Sequence, residues 1–578
     1  MKLLALLLGL LCVTIIHGQP KPGYNLDLKQ IPLRWDEALP LGNGWLGALI
    51  WQKENKLRIS LDRVDLWDDR PMPQIDRLTF KWVQQQVAKG EYDTVQKIGD
   101  WPYEQNAAPC KIPGAAIEFK MPDASVVSAS LDISNGISSV IFSNGIRFGS
   151  YIHASKQEGY FGWTEFDPSL IDSFLPSLIP PRYQAEQAGS PKDGGSLSRL
   201  GYEQGKITKG KNSLRYHQPT WGTHYYEVLI EWVNIYNKKL VGAWTISVDK
   251  PASLHKIDTA HSEYTDMRSH LAWWKDFWDR SSISIPDTLL ERQYYLDMYK
   301  FGCVARSNAP PISLQAIWTA DDGRLLPWKG DLHHDLNTQL SYWPGYTANH
   351  TDLTAGFTNW LWKVRAENKR WTQQYFGVEG LNVPGVSTIS GKPMGGWIQY
   401  AMSPTTVCWL SQNFYWQWRY TNDTAFLRER AYPWVRDAAT YIVNLVRKRD
   451  GNYYLPLSSS PEYNDNKISA WFSDWTNYDL SLVSYLLQTE SIMARALNRP
   501  RDAQRKRLEE LRMALPSAAV DETGLLMAPG VRMDHSHRHM SPYISLFPLK
   551  NLHVVAKAIK NDTTVIANSF RHLERFGT

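Results

Sequence analysis

Apolar positions follow two different patterns along this chain, and the change falls near residue 289. From Tyr24 to about residue 250, they occur in short runs rich in β-branched and aromatic side chains, separated by Gly, Asn, Asp and Pro. Runs of this kind predict β-strands, and a series of them predicts a β-sandwich. The predicted strands are Trp45–Trp51, Leu57–Leu61, Val126–Ile133, Ser138–Phe142, Ile146–Ala154, Tyr225–Trp232 and Leu240–Val248.

Shorter signals refine this β-rich part of the chain. Asn144-Gly145 is the typical turn of a hairpin between two of the strands. Leu78–Lys89 predicts one short helix, and Gln184–Asn212, which is rich in Gly, Ser and Lys, predicts an exposed loop. The glycine-rich segment Leu41–Gly47 lies between strands, so we expect a tight turn there rather than a phosphate-binding loop.

From Leu289 onward the apolar repeat is 3.6 residues, which predicts helices. Before it, His261–Ser282 carries aromatic residues at helical spacing, and Ile283–Pro286 predicts a short edge strand. Helical hairpins in series, with unusual polar residues on the long loops, favour an α/α toroid. The predicted helices are Leu289–Arg306, Asn337–Ala348, Leu353–Phe376, Thr405–Tyr420, Thr424–Lys448, Asn477–Asn498, Pro500–Ala514, Ser541–Lys560 and Asp562–Phe576.

These patterns divide the chain into four parts. Residues 1–18 are predicted to be a signal peptide, residues 19–255 a β-sandwich domain, residues 256–288 a linker and residues 289–578 a helical toroid. Nine helices are an odd number, whereas a closed ring of hairpins needs an even one. We therefore expect the C-terminal part of the toroid to be missing from this chain.

The signal peptide is predicted from Lys2, the apolar run Leu3–Ile16 and the small residue Gly18 at a suitable cleavage position. The run is shorter than the ~20 residues that span a bilayer, and no second run of that length follows. We therefore expect a secreted or periplasmic protein that has no membrane contact after cleavage.

Composition narrows the classes of function. The 578 residues carry a formal net charge of +5 without basic runs, which argues against nucleic-acid binding. Cys110, Cys303 and Cys408 lie beyond the signal peptide, and three scattered cysteines form neither a disulfide framework nor a metal cluster. We expect buried thiols. The 26 Trp and 29 Tyr residues supply rings that stack on sugars where they cluster beside carboxylates.

One polar and aromatic cluster stands out, the segment Pro327–Pro344, which reads PWKGDLHHDLNTQLSYWP. It places His, Asp, Asn and Gln side chains between Trp328 and the pair Tyr342-Trp343. Such groups are costly to bury without partners, and they suit a pocket wall that binds a polyhydroxylated ligand. Two further polar stretches follow it, the helix-breaking loop Ser458–Asn464 and the histidine-rich segment Asp534–His539.

The histidines do not have the spacing of a metal site. His333 and His334 are adjacent, so they do not chelate easily from one face. His535, His537 and His539 alternate as zinc ligands on a strand can, but a hydrogen-bonded structural loop explains them at least as well. No helical HExxH motif is present. We predict no metal and no cofactor.

Two carboxylates remain as candidates for chemistry. Glycoside hydrolysis needs one protonated carboxyl that donates to the leaving oxygen and a second group that activates water or attacks carbon. Glu462 lies after Pro461, near Trp471 and Trp475, where desolvation is predicted to raise its pKa. The alternative is that Glu462 has a structural role, as a helix cap or as a partner in a salt bridge. Asp335 is the second carboxylate, and its alternative is a helix N-cap.

At these residues the chain resembles glycoside hydrolase family 95, the inverting α-L-fucosidase family that also includes α-L-galactosidases. The resemblance rests on six phrases in the same order as in the family. They are Leu39–Ala48 ("LPxGNGxLGA"), Leu61–Trp67 ("LNEDTLW"), Leu314–Trp318 ("LQGIW"), Asp335–Pro344 ("NINxEMNYWP"), Ser460–Glu462 (the acid loop) and His537–Ser541 ("HRHxS").

The resemblance implies a β-sandwich joined to an (α/α)6 barrel, and it implies roles for individual residues. Glu462 takes the general-acid position, and Asn337 that of one of two asparagines that hold the attacking water. Asp335 replaces the other asparagine, and the family's later "DGNFG" phrase with its assisting aspartate is absent. The substrate-binding residues that we expect beside them are His334, Trp328, Trp343, Tyr342, Trp318, His537, His539 and Arg538.

Two explanations account for the departure at Asp335. Either Asp335 is itself the base, or the base lies beyond Thr578 in a longer parent protein. We expect an inverting hydrolase that acts on a terminal α-linked sugar in an oligosaccharide or polysaccharide side chain. Its two carboxyl groups are then expected ~6.5–9.5 Å apart. The alternatives are a catalytically silent carbohydrate-binding protein and a polysaccharide lyase, although a lyase leaves the Ser-Pro-Glu loop without a role.

Overall fold

The computed structural model describes residues 18–184, 195–235, 239–255, 262–319, 323–552 and 562–576. Residues 1–17 of the predicted signal peptide lie outside this range, as do residues 553–560 of the predicted helix Ser541–Lys560. Within the described ranges, no helix combines the length and the apolar character that crossing a membrane requires.

Two antiparallel sheets form the N-terminal part. The larger sheet has nine strands, in spatial order Leu26–Leu28, Val126–Asp132, Ile137–Phe142, Arg147–Ile152, Gly159–Thr164, Lys239–Val248, Tyr225–Ile235, Ser213–Pro219 and Lys206–Lys209. The smaller sheet has five, in the order Ser177–Ile179, Ala116–Lys120, Lys56–Arg63, Leu46–Lys53 and Leu39–Gly42.

The sheets pack face to face through aromatic side chains. Phe119 from the smaller sheet lies 5.7 Å from Phe148, 5.1 Å from Phe161 and 5.8 Å from Trp163 of the larger sheet, measured between ring centroids. All four rings are buried. Tilted and edge-on contacts of this kind add to the free energy gained from burying the rings. The predicted β-sandwich is confirmed.

Two local predictions in the N-terminal half need correction. The predicted loop Gln184–Asn212 contains the strand Lys206–Lys209, which pairs with Ser213–Pro219 at the edge of the larger sheet. Its lysines suit an exposed edge, because they discourage pairing with another chain. The predicted strand Ile283–Pro286 does not form. The amide of Ile283 donates to the Tyr295 hydroxyl and that of Ile285 to Glu291, so side chains take the place of a neighbouring strand.

Helices make up most of the second half, with three more in the sandwich part. The sandwich-part helices are Phe80–Lys89, Tyr92–Gly99 and Trp101–Gln105, and the connecting helix is Ser262–Asp279. The others are Thr288–Val304, Asn337–Thr347, Thr351–Lys363, Arg365–Phe376, Ile398–Ala401, Thr406–Thr421, Thr424–Phe426, Tyr432–Leu445, Asn477–Ala496, Ala503–Ala514 and Asp562–Glu574.

Two of the predicted helices are divided. The predicted helix Leu353–Phe376 is broken at Val364, whose ψ of 0° ends one helix before the next begins. The predicted helix Thr424–Lys448 contains a π-helical turn over Leu427–Ala431 and ends at Leu445. Pro433 follows that turn and has no amide hydrogen, so the regular hydrogen-bond pattern is interrupted there.

The helices pack around Thr406–Thr421. This helix contacts Asn337–Thr347, Thr351–Lys363, Tyr432–Leu445 and Asn477–Ala496. The arrangement agrees with the predicted helical domain after a β-sandwich. Long segments between the helices carry the polar stretches that the sequence singled out.

The glycine-rich turn joins the two parts of the molecule. Gly44 has a φ of 82°, and its amide donates to the carbonyl of Cys303. A Cβ atom on Gly47 would lie 1.9 Å from the carbonyl oxygen of Ile317, so only glycine permits this approach. The segment Leu41–Gly47 is therefore a tight turn, as predicted, and its glycines allow the sandwich to contact the helical part.

Candidate active site

Asp335 and Glu462 come together between the helices. The short strand Leu332–His333 pairs with Val386–Ser387, and Asp335 lies in the turn before the helix that begins at Asn337. Glu462 comes from a separate loop. One oxygen of Asp335, one oxygen of Glu462 and one ring nitrogen of His333 all lie within 4.8 Å of one another.

Asp335 is a buried carboxylate with open hydrogen-bonding capacity. Its relative exposure is 7%, and neither oxygen has a hydrogen-bond partner in the described part of the chain. Leu336 occupies the N-cap position and no side chain caps the helix, so the capping alternative for Asp335 is wrong. His333 Nε2 lies 3.2 Å from Asp335 Oδ1, an ion-pair contact without hydrogen-bond alignment. Burial raises the pKa of Asp335, but the charge of His333 outweighs it and the net direction is downward.

The loop that carries Glu462 is anchored by its serines. Ser458 donates through Oγ to Asp479 at 2.7 Å, and Ser459 donates to the carbonyl of Gln399 at 2.5 Å. Burial raises the pKa of Asp479 to about 6. Glu462 itself has a φ of 53°, in the left-handed region that non-glycine residues seldom occupy. The anchored loop thus presents Glu462 from a strained backbone position.

The predicted rise in the Glu462 pKa is wrong for this arrangement. Burial raises the pKa, but His539, whose Nε2 lies 3.1 Å from Oε2, and Arg538, which forms an ion pair with the same oxygen, lower it below its usual value. Trp471 and Trp475 do not provide the expected environment. The Trp471 ring packs on Tyr92, and the Trp475 indole donates to the Tyr453 carbonyl. The salt-bridging alternative therefore describes Glu462 as it stands.

The two carboxyl groups lie close to each other. One oxygen of Asp335 lies within 4.8 Å of one oxygen of Glu462. The ~6.5–9.5 Å of inverting enzymes is measured between whole carboxyl groups, so that separation stays a prediction. The partners of each group make the approach possible. Arg538 and His539 hold Glu462, and His539 also lowers the pKa of Asp335, so positive groups offset the repulsion between two nearby carboxylates.

The histidine-rich segment surrounds Glu462 from one side. His537 Nε2 lies 3.3 Å from the Glu462 backbone carbonyl, and the amide of His539 donates to His537 Nδ1. The rings of His535 and Tyr463 stack at 5.2 Å. His537, Arg538 and His539 therefore all contact the general-acid candidate, His537 at its backbone carbonyl and the other two at its carboxylate.

The other predicted binding residues occupy different environments. Asn337 begins its helix and is exposed beside the buried Asp335. Trp328 is 56% exposed, and Trp343 is partly buried, with its ring edge-on to Phe547 at 5.4 Å. The indole nitrogen of Trp343 has no partner in the described part of the chain. Asn337, Trp328 and Trp343 are thus the predicted residues in this stretch with surface that a ligand can reach.

Three predicted binding residues have packing roles instead. Tyr342 is 1% exposed, stacks on Phe357 and accepts a hydrogen bond from Ile312. His334 is fully buried with Nε2 3.1 Å from Ser387 Oγ, and burial lowers its pKa to about 3. Trp318 donates to the carbonyl of Leu41 at the contact between sandwich and helices. Tyr342 and His334 thus offer a ligand little surface, and the partly buried Trp318 packs on sandwich residues instead, which corrects the expectation.

Sequence reasoning missed His333 and Asp331. His333 Nδ1 lies 3.2 Å from Asp331 Oδ1, so the imidazole stands between two carboxylates. Burial lowers the pKa of His333, but Asp335 and Asp331 raise it well above its usual value. The signal was available, because residues 331, 333 and 335 alternate as one face of a strand does. The ligand atoms of His333, Asp335 and Glu462 are near enough for one cation, but imidazolium and guanidinium groups already neutralise the carboxylates.

A separate cleft of about 790 Å³ lies between sandwich and helical residues, lined in part by Trp45, Trp221 and Trp360. Its acidic residues contact basic side chains. Asp65 contacts Arg63, Asp69 contacts Lys392 and Asp249 contacts His224, at distances of 2.5, 3.1 and 2.7 Å, and Glu367 forms an ion pair with Arg370. It contains neither Asp335 nor Glu462. The chemistry of the side chains, rather than the size of the cavity, therefore selects the Asp335–Glu462 site.

Comparisons with known proteins identify a family for the helical half of the chain. A profile of the "Glycosyl hydrolase family 95 catalytic domain" matches residues 277–571, about half of the chain. A profile of the "Glycosyl hydrolase family 65, N-terminal domain" matches residues 22–159. A solved structure titled "Putative kojibiose phosphorylase from human microbiome" superimposes with a TM-score of 0.58 at 11% sequence identity. The superposition includes 95% of this chain and 81% of that chain. At that identity the likeness concerns the fold alone.

Two curated proteins are similar over parts of their length. "Alpha-L-fucosidase 2" of Arabidopsis thaliana is 22% identical over 272 residues, which are 45% of this chain and 32% of that protein. "Probable alpha-fucosidase A" of Aspergillus niger is 28% identical over 178 residues, which are 28% of this chain and 21% of that protein. The matches thus span about a third or less of these relatives.

Proposed function

This chain belongs to glycosyl hydrolase family 95, and from that premise we propose that it is a glycosidase acting on a terminal α-linked sugar. The sugar is of the L-fucose or L-galactose type, at the end of an oligosaccharide or a polysaccharide side chain. The names of the Arabidopsis and Aspergillus relatives support the first of these sugars.

The observation that carries the proposal is the pair Asp335 and Glu462. Both are largely buried, their oxygens lie within 4.8 Å, and Asp335 has no hydrogen-bond partner in the described part of the chain. A buried carboxylate without a partner is costly, so a bound water or substrate is the natural group to satisfy it. Glycoside hydrolysis requires two carboxyl groups, one that donates a proton and one that activates water.

In the proposed reaction, Glu462 donates its proton to the glycosidic oxygen as the bond from that oxygen to the anomeric carbon breaks. Asp335 accepts a proton from water while the water oxygen bonds to the anomeric carbon. Asn337, exposed beside Asp335, orients that water. Arg538 and His539 lower the pKa of Glu462 in the free protein, so Glu462 takes up a proton from solvent when substrate binding separates it from them.

The same displacement prepares Glu462 for its role as the acid. Movement of Glu462 away from Arg538 and His539 removes two groups that lower its pKa and leaves burial, which raises it. We expect the reaction to invert the anomeric configuration, with one water held between the two carboxyl groups. The anomeric configuration of the first product, followed by ¹H NMR, tests this step. Inversion is expected, and retention would assign Asp335 the role of a nucleophile acting at close range.

The proposal is tested with a panel of fucosylated and galactosylated oligosaccharides and aryl glycosides. Sugar release by the wild type and its loss in Glu462→Gln, with ligand binding retained, are expected, because the amide keeps the shape of the carboxyl but cannot donate the proton. Glu429→Gln, the same change at an exposed position, is the control and should behave as the wild type. Full activity of Glu462→Gln would remove Glu462 from the mechanism.

One observation favours a second candidate, a catalytically silent carbohydrate-binding protein. Glu462 is bound by Arg538 and His539, which is the state of an ionised group and not of a proton donor. For this candidate, calorimetry would show binding of the same oligosaccharides, while none of them would be cleaved. Sugar release from any member of the panel excludes it.

We also propose that the protein is secreted or periplasmic. The basis is the amino-terminal sequence, in which Lys2 precedes the apolar run Leu3–Ile16 and Gly18. N-terminal sequencing of the protein recovered outside the cytoplasm is expected to start at or near Gln19. Recovery of the uncleaved chain from the cytoplasm alone would contradict this proposal.

A further inference from the structure

We propose that His333 is a positioning residue that holds Asp335 as a carboxylate through a buried triad, Asp331–His333–Asp335. This inference rests on the proposed function, because it concerns the group that activates water. It gives a role to His333 and Asp331, two residues outside the set of site residues predicted from the sequence. It also offers a reason why an aspartate can function at position 335, where the resemblance leads one to expect asparagine.

The backbone places the three side chains together. Leu332–His333 is a strand paired with Val386–Ser387, and side chains alternate between the two faces of a strand. Leu332 and His334 point into the core, where the His334 ring lies 5.6 Å from the Trp360 ring. His333 consequently lies on the opposite face, where its ring meets Asp331, Asp335 and Glu462.

The contacts favour a positively charged imidazole. His333 Nδ1 forms a hydrogen bond with Asp331 Oδ1 at 3.2 Å, and Nε2 lies 3.2 Å from Asp335 Oδ1 in an ion-pair contact. An imidazolium attracts both carboxylates, whereas a neutral ring carries one N–H and no net charge. Both carboxylates are buried, at 0% and 7% relative exposure. The doubly protonated ring is therefore the form that pairs both.

The surroundings make this positive charge necessary. Without it, Asp335 would face Asp331 and Glu462 in a site with little water, and carboxylates in such a setting take up a proton. Asp335 Oδ2 has no partner in the described part of the chain, so it remains available to water. Besides Glu462, the titratable groups that interact with the triad are His334, Lys329, Tyr103, His539, Tyr400 and Tyr478.

The test is the pH dependence of kcat/KM for His333→Gln in the full chain. Glutamine retains hydrogen-bonding capacity but not the charge, so Asp335 should ionise at higher pH and the acidic limb should move up by ~1–3 pH units. The control is His350→Gln. His350 is likewise buried, but it stacks on Phe277 and lies outside the triad, so the limb should not move. Lower activity in His333→Gln with an unmoved acidic limb would overturn the proposal.

A second measurement does not depend on activity. In protein labelled with ¹⁵N-histidine, the ring signal that His333→Gln removes should be that of an imidazolium at pH 8. Asp331→Asn should make the same ring lose its proton at lower pH. A neutral His333 ring at pH 8 in the wild type would overturn the proposal. If no substrate is cleaved but the imidazolium is present, the proposed function fails while the triad stands.

Discussion

Asp335→Asn distinguishes the two possible sources of the catalytic base. The amide keeps the size and shape of the carboxylate, and it restores the asparagine that the family resemblance leads one to expect at this position. What it removes is the negative charge that accepts a proton from water. If Asp335 is the base, the variant loses the chemical step. If the base lies in another part of a longer protein, the variant should work at least as well as the wild type.

The structure sets the size of the expected effect. Removing a general base costs ~10²–10⁴-fold in rate, about 3–5 kcal/mol in the barrier. Asp335 also loses its attraction to the His333 ring at 3.2 Å, which is about 5 kcal/mol at an effective dielectric constant of ~20. The His333 pKa should consequently fall in the same variant. Both effects follow from one charge, and they are measured independently.

The assay is kcat/KM on the aryl glycoside that the wild type cleaves best, together with calorimetry of ligand binding. A fall of at least ~100-fold in kcat/KM with binding retained is expected. Asp352→Asn serves as the control, since Asp352 pairs with Arg280 on the surface and lies outside the site. Activity of Asp335→Asn within about threefold of the wild type would refute the assignment of Asp335 as the base.

Three further predictions concern charge and packing. Arg538→Gln removes a group that lowers the Glu462 pKa, so that pKa should rise and the basic limb of kcat/KM should move to higher pH; an unmoved limb would contradict the ion pair. Phe119→Ala should reduce the free energy of unfolding by ~3–5 kcal/mol in urea titrations, because its ring fills the space between the sheets. Lys111→Met leaves Asp62 buried without its partner and should cost ~3–5 kcal/mol, most of which the added change Asp62→Leu should recover.

Much of the fold could be predicted because local patterns report on local structure. Strands such as Val126–Asp132 and helices such as Thr406–Thr421 lie within one or two residues of the prediction. The Asn144-Gly145 hairpin forms as expected between Ile137–Phe142 and Arg147–Ile152. One failed prediction shows the limit of such patterns. Ile283–Pro286 resembles a strand, but Tyr295 and Glu291 satisfy its amides.

The candidate site divides in the same way. Sequence alone identified Glu462, Asp335 and the histidine-rich segment as unusual, because polar residues among tryptophans are costly unless they serve a ligand. It could not show that Arg538 and His539 lower the Glu462 pKa, or that His333 stands between two aspartates.

By itself, the sequence determined which faces of the strands and helices are apolar, where the chain turns and which side chains are chemically unusual. The tertiary structure decided which of those side chains meet. In it, Tyr342 and His334 are buried in the core, and Glu462 lies close to Asp335. The physical reason is that periodicity depends on neighbours along the chain, whereas a pKa, an ion pair or a binding surface depends on groups that folding brings from distant positions.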